Sequence, residues 1–174
     1  MDNFTDAVKD ALITKNWCAA LVVSLTLPDI CGRLEKPNDS SRLRYSDWFK
    51  KWVEPAYTSQ IGPEKKVHTF LSGGDCYALR CSLLHQGETE TSQQNAQEVV
   101  ERFCFIAPRK GMTVHCNSQG TRLFLQVDKF CNDICDGVQN WLDSVVDNDA
   151  IKERMSQMIS INIPPEGGPI SIRI

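Results

Sequence analysis

Asp128-Lys129-Phe130-Cys131-Asn132-Asp133-Ile134-Cys135-Asp136-Gly137-Val138-Gln139-Asn140-Trp141-Leu142-Asp143-Ser144-Val145 carries Phe130, Ile134, Val138, Trp141, Leu142 and Val145 at intervals that fall on one side of an α-helix. The spacing predicts a major helix beginning near Asp128, buried along that stripe. After it, Ala150 to Ile159 predicts a shorter helix. Pro164-Pro165-Glu166-Gly167-Gly168-Pro169 then breaks regular structure, leaving Ile170 to Ile174 as an edge strand or an arm reaching a neighbour.

Toward the N-terminus, Val99 to Ile106, Met112 to Cys116 and Arg122 to Val127 predict three short strands. Pro108-Arg109-Lys110-Gly111 and Asn117-Ser118-Gln119-Gly120 separate them, as turns of a small antiparallel sheet. Glu88 to Gln97 is polar and predicts an outward loop. Tyr45, Trp48, Phe49 and Trp52 repeat at helical intervals after Lys36-Pro37-Asn38-Asp39-Ser40-Ser41, a loop ending in a helix cap, and Pro55 and Ile61-Gly62-Pro63 follow as a stop and a turn. A first long helix from Asp2 or Thr5 places Phe4, Val8, Leu12, Cys18, Leu21, Val22 and Leu25 toward a core, and Pro28 ends or kinks it. The expectation is an α-rich α+β fold: packed helices with a small antiparallel sheet before the last major helix. It forms one domain over residues 1–174, with a β-rich insertion at about 99–127 and a C-terminal tail at about 162–174.

With 174 residues, 41% of them hydrophobic, the chain can bury one sizeable core and is short for two. Its most apolar stretch, Cys18 to Leu27, is too short to span a bilayer, and Met1 to Asp6 is acidic where a secretory signal is basic. These features predict a cytoplasmic protein with no membrane partner. Its eight cysteines form no Cys-x-x-Cys pair, so buried reduced thiols are expected rather than zinc or disulfides. Cys131 and Cys135, one helical turn apart, and His115 beside Cys116 leave open a site assembled in space.

A net charge of −3 argues against strong binding of nucleic acid, but the charge is unevenly spread. Arg42 to Lys66 holds six cations against three acids, whereas Asp128 to Asp149 holds six aspartates and one lysine. Lys50 and Lys51, interleaved with aromatics, are candidate RNA contacts, although the same aromatics suit a buried helix face. Gly73 and Gly74 are turn or close-packing residues, since no Lys-Ser/Thr follows them as a phosphate loop requires.

A third predicted helix follows Ser72 or Asp75 as its cap and ends at Gly87, with Cys76, Leu79 and Leu83 on its core face. It carries Arg80 and His85. Arginine orients and neutralises a phosphate through a planar fork, and histidine moves protons near neutral pH, so the pair suits phosphodiester chemistry without a metal. Five helical positions leave the two side chains about 140° apart around the axis, so a joint role calls for fraying at Gly87 or a second subunit. Asp29, beside an apolar run, needs water, a cap or a partner, of which Arg80 is one; it is a secondary candidate.

Leu79-Arg80-Cys81-Ser82-Leu83-Leu84-His85-Gln86-Gly87 resembles the signature of the HEPN superfamily, an Arg and a His separated by four to six residues; here the separation is four. The resemblance implies a HEPN-like helical bundle and a metal-independent endoribonuclease of toxin or defence type that needs no cofactor. It implies Arg80 and His85 as catalytic residues; Ser82 and Gln86 are candidate RNA contacts by their proximity to that pair alone. It also implies a homodimer in which two motifs line one cleft, and a cognate antitoxin or regulator as partner. Cys81 stands where the family often has a polar residue, which keeps a non-catalytic interaction or nucleotide-binding module as the alternative.

Overall fold

Asn16 breaks what the apolar spacing predicts as one N-terminal helix. The chain turns at Lys15, whose φ is 58°, and the Asn16 side chain caps a new helix by accepting from the Ala19 N–H at 3.2 Å. In this computed structural model, which describes residues 1–84 and 101–159, the result is two helices, α1 (Asp2–Ile13) and α2 (Trp17–Glu35). Cys18 and Val22, predicted inward, are exposed because the break re-phases the second helix. Pro28 lies inside α2 and does not end it. Burial of Leu25, Leu27, Cys31 and Leu34 holds the helix across the missing N–H, and Tyr45 donates its hydroxyl to the Leu25 carbonyl at 3.1 Å, one turn before the break.

Helix α3 (Ser41–Trp52) starts where the Ser40 side chain accepts from the Leu43 N–H, and its aromatic stripe enters the core: Tyr45, Trp48 and Phe49 are buried. A short 3-10 turn (Glu54–Tyr57) leads to a hairpin of β1 (Thr58–Ile61) and β2 (Lys66–Thr69), which the sequence shows only as a turn. Then comes α4 (Gly73–Leu84), opened by a reciprocal cap in which the Ser72 hydroxyl accepts from the Asp75 N–H and the Asp75 carboxylate accepts from the Ser72 N–H.

The second sheet corrects the expected one. Its strands are β3 (Phe103–Ile106), β4 (Asn117–Gln119) and β5 (Arg122–Gln126), in the order β3-β5-β4, with β3 parallel and β4 antiparallel to β5. Met112 to Cys116 is not a strand. Val114 donates its N–H to the Gln126 side chain and His115 accepts the Gln126 N–H, so side-chain bonds replace a ladder. The predicted turn residues Asn117 to Gln119 form the strand instead, turning at Gly120, φ 61°.

Helix α5 (Val127–Ser144) buries Phe130, Ile134, Val138 and Trp141, and α6 (Asp149–Ser156) closes the described fold. The chain is α-rich α+β, with six helices among the described residues. Helix α2 packs against the other five. It is long and apolar enough to cross a membrane by length and composition, and its place at the centre of the bundle accounts for that character. The expected outward loop at 88–97 and tail at 162–174 lie outside the described residues.

Candidate functional site

Two close helix contacts set the geometry around Arg80. At Gly32 in α2, an added Cβ would stand 2.7 Å from the Arg44 carbonyl oxygen, and at Gly73, the first residue of α4, it would meet the Ser46 carbonyl. Glycine therefore lets both helices reach the backbone of α3. Gly73 also donates its N–H to the Glu54 carboxylate at 2.9 Å. With the three helices so close, Asp29 on α2 sits between Arg44 on α3 and Arg80 on α4.

Asp29 Oδ2 lies 3.0 Å from Arg80 Nη2, and Oδ1 lies 3.2 Å from Arg44 Nε and accepts from the Ser41 hydroxyl at 3.2 Å. The side chains of Asp29 and Arg80 are 18% exposed and that of Arg44 14%, so the pairing is largely withdrawn from water. Arg44 also donates to the Asp39 carbonyl at 3.2 Å, which fixes its second edge. Two guanidinium groups thus share one carboxylate. Planar forks of this kind suit phosphate oxygens.

The other candidates separate. Asp29 joins Arg80, in the middle of a helix and not as a cap. Ser82, expected as an RNA contact, is buried and returns its hydroxyl to the Ala78 carbonyl at 2.8 Å, as a serine inside a helix often does. Lys50 and Lys51 are exposed in the last turn of α3. Lys51 is seven positions from Arg44, about 10 Å along the axis on the same face, with its ammonium 4.4 Å from the Trp52 ring centroid. His85 and Gln86 lie outside the described residues. Sequence reasoning offered Arg44 only as one cation of a basic track and did not single out Ser41. The usable signal was their position in the first turn of a helix whose Tyr45 is buried, which puts its neighbours at the rim of the core.

A second polar cluster surrounds His115. Its Nδ1 accepts the Gln126 N–H at 3.2 Å, its Nε2 lies 3.5 Å from Asp133 Oδ2, and the same oxygen accepts the Tyr57 hydroxyl at 2.8 Å. Burial by itself lowers the imidazole pKa, but Asp133 and Cys116 outweigh it and push it up to about 9. The Gln126 bond opposes this, since only an unprotonated Nδ1 can accept. Burial raises the thiols: Cys76 and Cys131 are pushed up to about 12 and Cys135 to about 11, with Cys31 higher still. These four remain protonated and poorly nucleophilic at neutral pH. Among the described residues, no three His, Cys, Asp or Glu side chains group where they could hold a metal ion.

Compared with known proteins, the chain matches no family model, no curated protein and no solved structure.

Proposed function

We propose that this chain is a HEPN-like, metal-independent endoribonuclease of toxin or defence type, acting as a cytoplasmic homodimer under a cognate antitoxin or regulator. What supports the reading most is the pair of guanidinium groups that Asp29 brings together. Arg80, the arginine of the motif, shares this carboxylate with Arg44 in a poorly solvated place, which brings two planar forks of the kind that suits phosphate oxygens to one spot.

In the proposed reaction the ribose 2′-oxygen attacks the adjacent phosphorus as the bond to the 5′-oxygen breaks, giving a 2′,3′-cyclic phosphate and a 5′-hydroxyl. His85 takes the 2′-hydroxyl proton and supplies one to the leaving oxygen. Arg80 donates to the non-bridging oxygens, where charge builds up, and Asp29 orients it. Lys50, Lys51 and Gln86 are proposed as RNA contacts away from the reacting atoms.

A second reading, a non-catalytic interaction or nucleotide-binding module, is favoured by one observation: the carboxylate that orients Arg80 also neutralises part of its charge. Labelled single-stranded RNA incubated with the protein in EDTA separates the two. The ribonuclease reading expects cleavage, reduced about 100-fold or more in Arg80→Ala and in His85→Ala. Binding without cleavage supports the module, and cutting that stops in EDTA and returns with Mg²⁺ overturns the metal-independent mechanism.

A further inference from the structure

Cys116 stands on the bend that leads into β4 with a φ of 53°, a left-handed conformation that a residue bearing a Cβ keeps only where its surroundings impose it. The two residues before it are both tied to Gln126. Val114 donates its N–H to the Gln126 side chain at 3.3 Å, His115 Nδ1 accepts the Gln126 N–H at 3.2 Å, and Gln126 in turn donates to Asp128 at 2.8 Å. Across the ring, Nε2 lies 3.5 Å from Asp133 Oδ2, an oxygen that also accepts the Tyr57 hydroxyl at 2.8 Å. The Tyr57 ring meets the imidazole edge-on at 5.5 Å. The Cys116 thiol is a further hydrogen-bond partner of the same imidazole. Whereas Cys31, Cys76, Cys131 and Cys135 are buried, Cys116 is partly open to solvent. A thiol, an imidazole and a carboxylate thus meet in one place, the set from which cysteine nucleophiles are built.

We infer that Cys116 is a reactive thiol that takes a small hydroperoxide as its reactant, with His115 as the proton carrier and Asp133 as the residue that positions it. The inference goes beyond the ribonuclease reading, and neither depends on the other. In the step, the thiol proton passes to His115 and the sulfur attacks one oxygen of the peroxide. An S–O bond forms as the O–O bond breaks, so sulfur is oxidised by two electrons to a sulfenic acid and the peroxide is reduced. His115 then gives its proton to the departing oxygen, which leaves as water or an alcohol. With Nε2 directed at Asp133, the lone pair that can take the proton is that of Nδ1, so the ring serves either the Gln126 N–H or the thiol. Asp133 favours the cation that the ring becomes, in keeping with an imidazole whose pKa is pushed up to about 9. A small reactant suits the place, because the thiol is only partly open and the imidazole beside it is mostly buried.

The test treats the reduced full chain with hydrogen peroxide in the presence of dimedone, which traps sulfenic acids, and reads each cysteine by peptide mass spectrometry. Cys116 should be labelled faster than Cys18, although Cys18 is the more exposed. The four buried thiols should stay unlabelled, which reports that the fold is intact. His115→Gln should slow labelling at Cys116 about tenfold or more and leave Cys18 unchanged. Asp133→Asn, which keeps the ring, should fall between the two. Iodoacetamide separates proton transfer from mere support of the loop: iodide leaves without a proton, so alkylation of Cys116 should lose less to His115→Gln than oxidation does. Equal slowing of the two reactions in a folded His115→Gln protein overturns the role of His115. Wild-type Cys116 oxidising no faster than Cys18 overturns the site, whether or not either variant folds.

Discussion

His115 shows how one side chain can be pulled toward two protonation states by its neighbours. Asp133, 3.5 Å from Nε2, favours the cation, and the Gln126 N–H, 3.2 Å from Nδ1, requires the neutral ring. With the folded pKa pushed up to about 9 from an ordinary 6.5, the folded state holds its proton more tightly than the unfolded chain. The stabilisation from the pair is therefore complete below about pH 6.5 and is lost as pH rises through about 9. Asp133→Asn should be less stable than the wild-type protein to urea at pH 6, with the gap closing by about pH 10, and should bring the His115 ring titration back toward 6.5. A wild-type ring that already titrates near 6.5 would mean that the Gln126 bond prevails. At this scale the sequence was legible where one residue type has few uses. Asp29 beside an apolar run called for water, a cap or a partner, with Arg80 among the candidates, and the ion pair rather than the cap is what forms; that Arg44 and Ser41 share it depends on the approach of a third helix, which no local pattern records.

Helices were readable because each carries a stripe of large apolar residues: Tyr45, Trp48 and Phe49 in α3, and Phe130, Ile134, Val138 and Trp141 in α5, all reach the core. The strands were not. Thr58 to Ile61 and Lys66 to Thr69 are mostly exposed and bury no face, so no alternation betrays the hairpin, and the sheet order of β3, β5 and β4 is settled by contacts distant in the chain. The break at Asn16 was hidden because apolar spacing continues across it. Two neighbouring glycines at the start of α4 make the element scale testable. Gly73→Ala pushes a Cβ into the Ser46 carbonyl, a backbone atom that cannot swing aside, and should destabilise the fold by about 1–3 kcal/mol in urea unfolding while moving Arg80 off Asp29. Gly74→Ala meets nothing closer than the Ser72 hydroxyl at 3.8 Å and should stabilise by about 0.4–1 kcal/mol through the unfolded chain. Equal effects at the two positions would contradict the close approach of α4 to α3.

For the whole molecule, the proposed chemistry asks for two copies. Arg80 and His85 on one continuous helix would point about 140° apart, so a cleft lined by both is more readily built from the motifs of two chains. The protein should run as a dimer of about 39 kDa by light scattering at micromolar concentration, twice its 19.6 kDa chain. A strict monomer there removes the shared cleft. Within each chain, α2 has a consequence for synthesis. Its C-terminal residue Glu35 is met by the Trp141 indole, 106 residues later, at 3.1 Å. At about 5–20 residues per second, the ribosome takes roughly 5–20 s to deliver the helix that covers it. Throughout that interval the 19-residue α2 lacks the packing partner that α5 supplies, so its final burial waits on the last third of the chain.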